Sequence, residues 1–217
     1  GQGVVFVSRE MTNMALIRRM VSQNGKIDAS ILRKAERAKG VMERIKDTLE
    51  DMFTLPIWLT DEVVSIQETV SMLSGFVENN SLGLLIIDHL QLMRSSSAMK
   101  EKRIQIEAVS QGLKTLAMQF KIPILCMSTL SRPADKKNPR PTLDSLRESG
   151  ELEHDADIVL LLHREFGKSE AECIVAKNRD GHVGNPAMIF ESSYLTFSEL
   201  EKEPEIKQPS LPYSDNE

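Results

Sequence analysis

The sequence predicts an α/β fold in which helices flank a mainly parallel sheet, with antiparallel hairpin strands at one edge. Short apolar runs alternate with helical patterns that are long enough to cross over between parallel strands. The later apolar runs lie too close together for intervening helices, which indicates hairpins. Sheets of the parallel kind carry their functional groups at the carboxyl ends of the strands.

The elements follow in order along the chain. Apolar runs predict strands at 4–8, 56–59, 84–88, 122–127, 157–162, 172–176 and 187–190. Apolar residues at helical spacing predict helices after Thr12 and over 31–52, 63–77 and 106–120. Gly40 divides the second pattern, so one helix or a helix pair fits it. The domain is expected to span 1–198, and the prolines and acids of 199–217 predict a disordered tail.

Composition limits the class of protein. The net charge of −5 argues against a protein that coats nucleic acid non-specifically, although it leaves room for a local basic site. Cys126 and Cys173 lie in apolar runs without a CxxC motif, which fits a reduced, cytoplasmic protein with neither disulfide nor zinc. Because no apolar run reaches about 18 residues, no membrane span is expected.

Acidic residues follow two of the buried strands. Glu10 lies in a Ser-Arg-Glu-Met segment after the first strand, where a carboxylate can orient or deprotonate a water molecule. A solvated charge in the first helical turn is the plainer alternative. Asp88 ends the apolar run 84–87, the pattern in which an aspartate holds Mg²⁺. The alternative there is an ordinary acid at a strand end.

Basic residues mark two later segments. Arg147, Glu148 and Gly150 lie close together in a loop, and a glycine beside charges suits close approach to a phosphate backbone. A strand delivers Lys177 and Arg179 to the same side, two residues apart, before a tight Asp-Gly turn. Two cations on a rigid hairpin suit the γ-phosphate of a neighbouring subunit. A solvated turn and an exposed basic hairpin are the respective alternatives.

The order and spacing of five motifs resemble the C-terminal RecA-like ATPase domain of DnaB-type replicative DNA helicases. The resemblance covers roughly residues 4–197 and includes an Asp-His-Leu-Gln-Leu-Met run at 88–93. The other matching segments are 8–11, 128–132, 146–157 and 177–181. A recombinase or a circadian-clock-type ATPase is a more distant alternative, against which the Arg-Glu-Ser-Gly stretch and the 88–93 run argue.

The resemblance implies a role for each matching residue. Glu10 matches the catalytic glutamate, and Asp88 matches the Walker B aspartate that holds Mg²⁺. Lys177 and Arg179 match cations offered in trans to the next subunit's ATP, Arg179 as the arginine finger. The other implied nucleotide contacts are Thr129 and Arg132.

Two loops are implied to contact single-stranded DNA phosphates inside a ring, which gives affinity without sequence recognition. Their residues are Arg94, Lys100, Lys102 and Arg103 in one loop and Arg147, Glu148 and Gly150 in the other. The whole protein is implied to be an ATP- and Mg²⁺-dependent helicase that moves 5′-to-3′ as a homo-hexamer. Primase and a helicase loader are the implied partners, in the cytoplasm of a bacterial, plasmid or phage replication system.

Three positions depart from the family pattern. Arg9 stands where leucine is usual, and His89 replaces a tyrosine, a change expected to be harmless. Thr129 replaces a glutamine that senses the γ-phosphate and links it to the DNA loop. Because threonine is shorter and offers only a hydroxyl, weaker coupling between hydrolysis and movement is expected.

The chain contains no GxxxxGK[ST] phosphate loop. The Gly-Lys-Ser at 167–169 is rejected because Leu162 stands where the first glycine is needed and strands surround it. The sequence is therefore expected to begin after the P-loop, without the P-loop strand, its helix and the primase-interacting domain. We expect no ATP hydrolysis by this chain alone, and an exposed apolar surface where the missing strand and helix would pack. The favoured interpretation is a truncated helicase core, and the alternative is a non-catalytic RecA-like module that binds single-stranded DNA or joins a helicase ring.

Overall fold

A computed structural model describes residues 2–33, 39–78, 81–95, 101–130, 140–146 and 150–200. The strands are β1 (Gly3–Ser8), β2 (Ile57–Thr60), β3 (Leu82–Asp88), β4 (Ile124–Cys126), β5 (Ile158–Arg164), β6 (Glu170–Asn178), β7 (Ala187–Glu191) and β8 (Thr196–Glu199). The α-helices are α1 (Asn13–Gly25), α2 (Ala29–Arg33), α3 (Lys39–Phe53), α4 (Ile66–Val77), α5 (Lys102–Phe120) and α6 (Gly150–Asp155). Short 3₁₀ turns lie at Leu90–Leu92 and Leu143–Leu146.

The first four strands form a parallel sheet in the order β2-β1-β3-β4. Alternate side chains of its two central strands are almost fully buried, as the strongly apolar runs predict. Helices α4 and α5 complete this core with Leu73, Val109 and Leu116. Because β1 and β3 are in register from Val4 to Ser8, Ser8 lies directly beside Asp88 at the carboxyl edge. The predicted α/β class is confirmed.

Three helices follow β1 before the chain returns to the sheet. Thr12 caps α1, where its hydroxyl accepts a hydrogen bond from the Ala15 N–H at 3.3 Å. Val21, Ile27 and Leu32 form a small core of their own, against which α3 packs. The described parts of the helical pattern at 31–52 are α2 and α3, and Gly40 lies inside α3, while residues 34–38 lie outside the described residues. No helix within the described ranges is long and apolar enough to cross a membrane.

The later strands form a separate antiparallel sheet in the order β5-β6-β7-β8, larger than the predicted hairpin edge. Strand β8 was not predicted, because its four residues combine one aromatic with polar neighbours and give no apolar run. It ends at Glu199, so the first residue of the predicted tail at 199–217 belongs to a strand. Residues 201–217 lie outside the described residues.

Strands β4 and β5 expose apolar side chains at the edges of the two sheets. Within the described residues each of these strands has a hydrogen-bonded neighbour on one side only. Leu125 of β4 is 47% exposed, and Ile158, Leu160 and Leu162 of β5 are 50–59% exposed. The open edge of each of these two strands therefore presents apolar side chains to solvent.

Candidate functional site

Two carboxylates and a histidine meet at the carboxyl edge of the parallel sheet. The Arg9 N–H donates to the Asp88 carbonyl at 2.7 Å, which ties the segment after β1 to the end of β3. One potential ligand atom from each of Glu10, Asp88 and His89 lies within 4.8 Å of the other two. The Asp88 side chain is 15% exposed, whereas that of Glu10 is 61% exposed. The structure thus brings together the two acids that the sequence singled out.

The electrostatics of this cluster disfavour a negative charge on Asp88. Burial raises the pKa of Asp88 above its ordinary value, and the nearby Glu10 charge raises it further. The charges of His89 and Arg19 and a hydrogen bond from Ser8 act in the opposite direction without outweighing burial. Carboxylate oxygens are the ligands that Mg²⁺ prefers, so this edge fits a divalent cation that would relieve the charge on Asp88.

His89 contacts Glu10 directly. Its Nδ1 lies 3.0 Å from Glu10 Oε2, and its side chain is only 14% exposed. The ring therefore restrains a carboxylate that is otherwise open to solvent. The sequence predicted no role for this departure from the family pattern, since a residue type alone does not show which side chain it faces.

The segment that carries Glu10 is anchored to the loop after β2. Arg9 Nη1 donates to the Asp61 carbonyl, which accounts for the half-buried arginine where leucine is usual. The Asn13 N–H and its side-chain amide donate to the Asp61 carboxylate at 3.0 and 3.2 Å. The Met11 N–H donates to the buried Ser8 hydroxyl at 3.1 Å. These contacts hold the backbone on both sides of Glu10.

Thr129 lies beside Gln91, a residue of the 88–93 run for which the sequence predicted no role. The Thr129 N–H donates to Gln91 Oε1 at 3.2 Å, and Gln91 Nε2 donates to the Ser128 hydroxyl at 2.8 Å. Gln91 thus links the 3₁₀ turn after β3 to the segment after β4, while the Thr129 side chain stays exposed. Arg132 lies outside the described residues.

Lys177 and Arg179 both turn toward the carboxyl end of helix α6. Lys177 Nζ donates to the Glu153 carbonyl at 2.6 Å, a contact that suits a cation at a helix end. Arg179 Nη2 donates weakly to the His154 carbonyl at 3.4 Å, and Nη1 donates to Asp157 Oδ1 at 2.6 Å. The prediction that both cations lie on one side is confirmed, and within this chain they face their own subunit.

Asp157 is the centre of this second cluster. Its second carboxylate oxygen accepts a hydrogen bond from Lys114 Nζ of α5 at 2.6 Å. That hydrogen bond lowers the pKa of Asp157, and the charges of Lys114, Arg179 and Lys177 act in the same direction. Asp157 is the last residue of the matching segment 146–157, where the sequence assigned it no role, and no sequence signal marked Lys114.

The expected tight turn after Arg179 is wrong. The chain reverses between Val175 and Gly184, which form an antiparallel bridge in which the Val175 N–H donates to the Gly184 carbonyl at 2.8 Å. The Asn178 side-chain amide donates to the His182 carbonyl at 3.2 Å and holds the wider loop closed. A side chain before the Asp-Gly pair therefore overrides its local turn preference.

The residues assigned to DNA contact lie around the amino-terminal ends of α5 and α6. The side chains of Arg94, Lys102 and Arg103 are exposed, and Arg103 Nε donates to Glu107 at 2.8 Å. The pKa of Arg103 is raised mainly by the hydrogen bond to Glu107, with a smaller contribution from Glu151 at the start of α6.

Gly150 begins α6, and a Cβ built there would meet nothing within 4 Å among the described residues. Lys100, Arg147 and Glu148 lie outside the described residues. The start of α5 and the start of α6 lie near each other, because the charge of Glu151 acts on Arg103. Each of the two predicted DNA loops therefore ends on the same side of the domain.

The Gly-Lys-Ser at 167–169 lies between β5 and β6. Gly167 has a φ of 82° in this hairpin, and Lys168 forms an ion pair with Glu165 at 2.7 Å. No helix follows this glycine, so its rejection as a phosphate loop is confirmed.

A parallel sheet that ends in two adjacent carboxylates, followed by an antiparallel sheet bearing paired cations, defines a RecA-like ATPase domain. The chain belongs to the DnaB-like helicase C-terminal domain family, whose model matches residues 1–199.

Named relatives and solved structures agree with that assignment. The chain is 31% identical to the replicative DNA helicase DnaB of Rickettsia felis over 93% of this chain and 46% of the relative. It is also 31% identical to a probable plasmid replicative DNA helicase of Chlamydia psittaci, covering 94% of this chain and 46% of the relative. The chain thus spans about half the length of the curated relatives it matches.

Two solved structures share the fold at 30% identity over 92% of this chain. The ATPase domain of G40P superposes with a TM-score of 0.86 and is covered to 75%. A DnaB-like replicative helicase, described with its interactions with primase, superposes with a TM-score of 0.85 and is covered to 51%.

Proposed function

We propose that this chain is part of the ATP-hydrolysing motor of a replicative DNA helicase, in which each catalytic site is shared between two subunits of a ring. The observation that carries the proposal is the pairing of Glu10 with Asp88 at the ends of adjacent parallel strands. Membership of the helicase family supports ATP hydrolysis as the reaction, and the geometry supports Glu10 and Asp88 as residues that carry it.

The acidic cluster provides the hydrolytic half of the site. When bound, Mg²⁺-ATP supplies the reactive phosphoryl group and the cation that neutralises its charge. Asp88 would hold the metal, and Glu10 would orient the attacking water and accept its proton. His89 keeps the Glu10 carboxylate in place through the 3.0 Å contact. The raised pKa of Asp88 supports this assignment, because a cation would remove the cost of its buried charge.

Lys177 and Arg179 provide the other half, offered to the nucleotide of the next subunit. A guanidinium stabilises the charge that develops on a transferring phosphoryl group, and it does so best when its position is fixed before the reaction. The contacts of both side chains with the end of α6 support that role. This division of the site requires self-association, and the family resemblance implies a homo-hexameric ring.

Single-stranded DNA would bind along the loops that precede α5 and α6. Arg94, Lys102 and Arg103 offer exposed cations on a body whose net charge is −5, which suits local rather than general binding of phosphates. We assign Lys100, Arg147, Glu148 and Gly150 to the same function. Thr129 would contact the nucleotide with less reach than glutamine, and Arg132 would lie near it.

A phosphate-binding loop upstream of residue 1 would complete the nucleotide site. The exposed apolar residues of β4 and β5 support this proposal, since an additional strand that paired with one of these open edges would cover part of them. By itself the 217-residue chain is then inactive as an ATPase, and the full-length protein would work with primase and a loader in the cytoplasm.

The test is ATP hydrolysis by the full-length protein, encoded by the complete reading frame. Turnover that single-stranded DNA stimulates and Glu10→Gln abolishes is the expected result. DNA binding without nucleotide binding in the full-length protein would instead indicate the non-catalytic module. DNA-stimulated turnover by the 217-residue chain alone would refute the need for an upstream phosphate loop.

A further inference from the structure

We infer that Asp157 is a positioning residue for Arg179, which it holds ready for the nucleotide of the neighbouring subunit. The inference rests on the proposed function, because Arg179 acts on a nucleotide only across a subunit interface. Nothing in the sequence motifs assigns Asp157 this part.

Asp157 fixes Arg179 at two points. The Arg179 N–H donates to the Asp157 carbonyl at 2.9 Å, and Nη1 donates to Asp157 Oδ1 at 2.6 Å. One residue thus restrains both the backbone and the far end of a long side chain. A charge-assisted hydrogen bond of this length is among the stronger contacts available to a guanidinium.

Asp157 is itself tied to the body of the domain. Lys114 of α5 donates to Asp157 Oδ2 at 2.6 Å, so each carboxylate oxygen has its own cation. One turn before Lys114 on α5, the Ser110 hydroxyl donates to Asp155 Oδ2 at 2.6 Å and holds the end of α6 against α5. Asp157 therefore cannot follow Arg179 if the arginine swings away, which makes it an anchor.

The anchored arginine keeps donors for a second partner. A guanidinium has five N–H groups, and within the described residues the contacts with Asp157 and His154 engage only Nη1 and Nη2. The Arg179 side chain is 50% exposed, so its remaining donors can reach a phosphate outside this subunit. Anchoring one edge of the fork lowers the entropy lost when the other edge binds.

A rival interpretation is a latch, in which Asp157 sequesters Arg179 and the nucleotide must break the pair. The two interpretations predict opposite changes in the rate of ATP hydrolysis when Asp157 is replaced. Removing an anchor misplaces the arginine and lowers transition-state stabilisation, whereas removing a latch frees the arginine and raises the rate. Lys114 favours the anchor, because it shares the charge of Asp157 and weakens any exclusive hold on Arg179.

The experiment compares Asp157→Asn with a matched control in the full-length protein. Glu172→Gln is the control, since it breaks an ion pair of similar length with Arg140 on the same sheet, at 2.7 Å. Two properties are measured: kcat and KM for ATP, and the affinity for fluorescent ADP with Mg²⁺, with and without aluminium fluoride. ADP with aluminium fluoride imitates the transferring phosphoryl group, and ADP alone does not.

Asp157→Asn should lower kcat by about 10²-fold with little change in KM, the scale expected for a displaced catalytic group. It should weaken binding of ADP with aluminium fluoride by about tenfold or more while leaving ADP binding unchanged. Asp157→Glu should recover part of both losses, and Glu172→Gln should match the wild type. The double variant Asp157→Asn, Arg179→Ala should be no slower than Arg179→Ala alone, because both changes act through one side chain.

A wild-type or higher kcat for Asp157→Asn, or fully additive losses in the double variant, would overturn the inference. If Asp157→Asn disrupts the ring, the test uses Lys114→Met, which removes the contact that holds Asp157 in place. A lower kcat with unchanged ADP binding then supports the inference, and a wild-type kcat overturns it. A failure of the proposed function looks different, because Arg179→Ala would then hydrolyse ATP as well as the wild type.

Discussion

The two charged clusters of this domain have opposite electrostatic character. At the end of the parallel sheet, Asp88 and Glu10 face each other without enough positive charge, and the pKa of Asp88 is raised by burial. At the end of β6, Asp157 is saturated by Lys114 and Arg179, and its pKa is lowered chiefly by Lys114. An added cation would therefore stabilise the first cluster, as we propose, whereas the charge of Asp157 is already balanced by Lys114 and Arg179.

The contrast between the acidic and the basic cluster fits the proposed division of one ATPase site between two subunits. The acidic half depends on strand register, because Ser8 and Asp88 are direct neighbours and the core beneath them is buried. The basic half depends on exposed ion pairs that connect β6 to α5 and α6. In the proposed site, the rigid acidic cluster would hold the metal and nucleotide, and the exposed basic cluster would approach the neighbouring subunit.

The largest effect should come from removing the arginine of the basic half. Arg179→Ala in the full-length protein should cut ATPase activity by about 10³-fold or more, the scale of an arginine finger. Single-stranded DNA binding should stay near normal, because within the described residues Arg179 contacts His154 and Asp157, neither of which is assigned to DNA. ATPase activity and DNA affinity of the variant are measured side by side. An equal loss of both through ring dissociation would show that Arg179 has a structural role at the subunit interface.

Arg147→Ala should give the reverse pattern. Loss of one phosphate contact should weaken single-stranded DNA binding and lower its salt slope by about one. Basal ATPase activity should remain largely intact, since the acidic cluster keeps all its contacts. DNA titrations over a range of salt concentrations provide the measurement, and an unchanged slope would remove Arg147 from the DNA site.

Variants of His89 test whether the imidazole contact with Glu10 matters for hydrolysis. His89→Phe removes the donor to Glu10 and should lower kcat of the full-length protein by about tenfold, as a less well-oriented carboxylate does. His89→Asn places an amide donor near the former Nδ1 and should recover part of the loss. Equal activity of both variants and the wild type, measured at saturating ATP, would mean that the 3.0 Å contact is incidental.

The smallest effect concerns stability. A raised folded-state pKa means that protonated Asp88 favours the fold, and this contribution is lost as pH rises from the ordinary value of 3.8 through the raised pKa. Asp88→Asn should therefore raise the unfolding midpoint at pH 7 by about 2 °C in the absence of Mg²⁺. The gain should disappear near pH 3, where both side chains are neutral. Thermal scans of both proteins at the two pH values check the sign, and a lower midpoint for Asp88→Asn would refute it.

The sequence predicted the acidic half better than the basic half. Glu10 and Asp88 follow apolar runs, and parallel strands share an edge at their carboxyl ends, so their proximity follows from the fold class. The partner of Arg179 could not be predicted in this way, because Lys114 lies on a helix 43 residues before Asp157 and carries no local signal. Strand β8 was missed because its four residues give no apolar run, and the wide loop after Asn178 was missed because the Asn178 side chain binds the His182 carbonyl.

Mixing two inactive variants tests the shared site most directly. Rings would be assembled from equal amounts of Glu10→Gln and Arg179→Ala full-length subunits, with mixed assembly verified by a tag on one of them. Random mixing places an intact Glu10 opposite an intact Arg179 at about a quarter of the interfaces. Recovery of ATPase activity well above that of either variant alone is the expected result. Mixed rings as inactive as their parents would contradict a catalytic site built from two subunits.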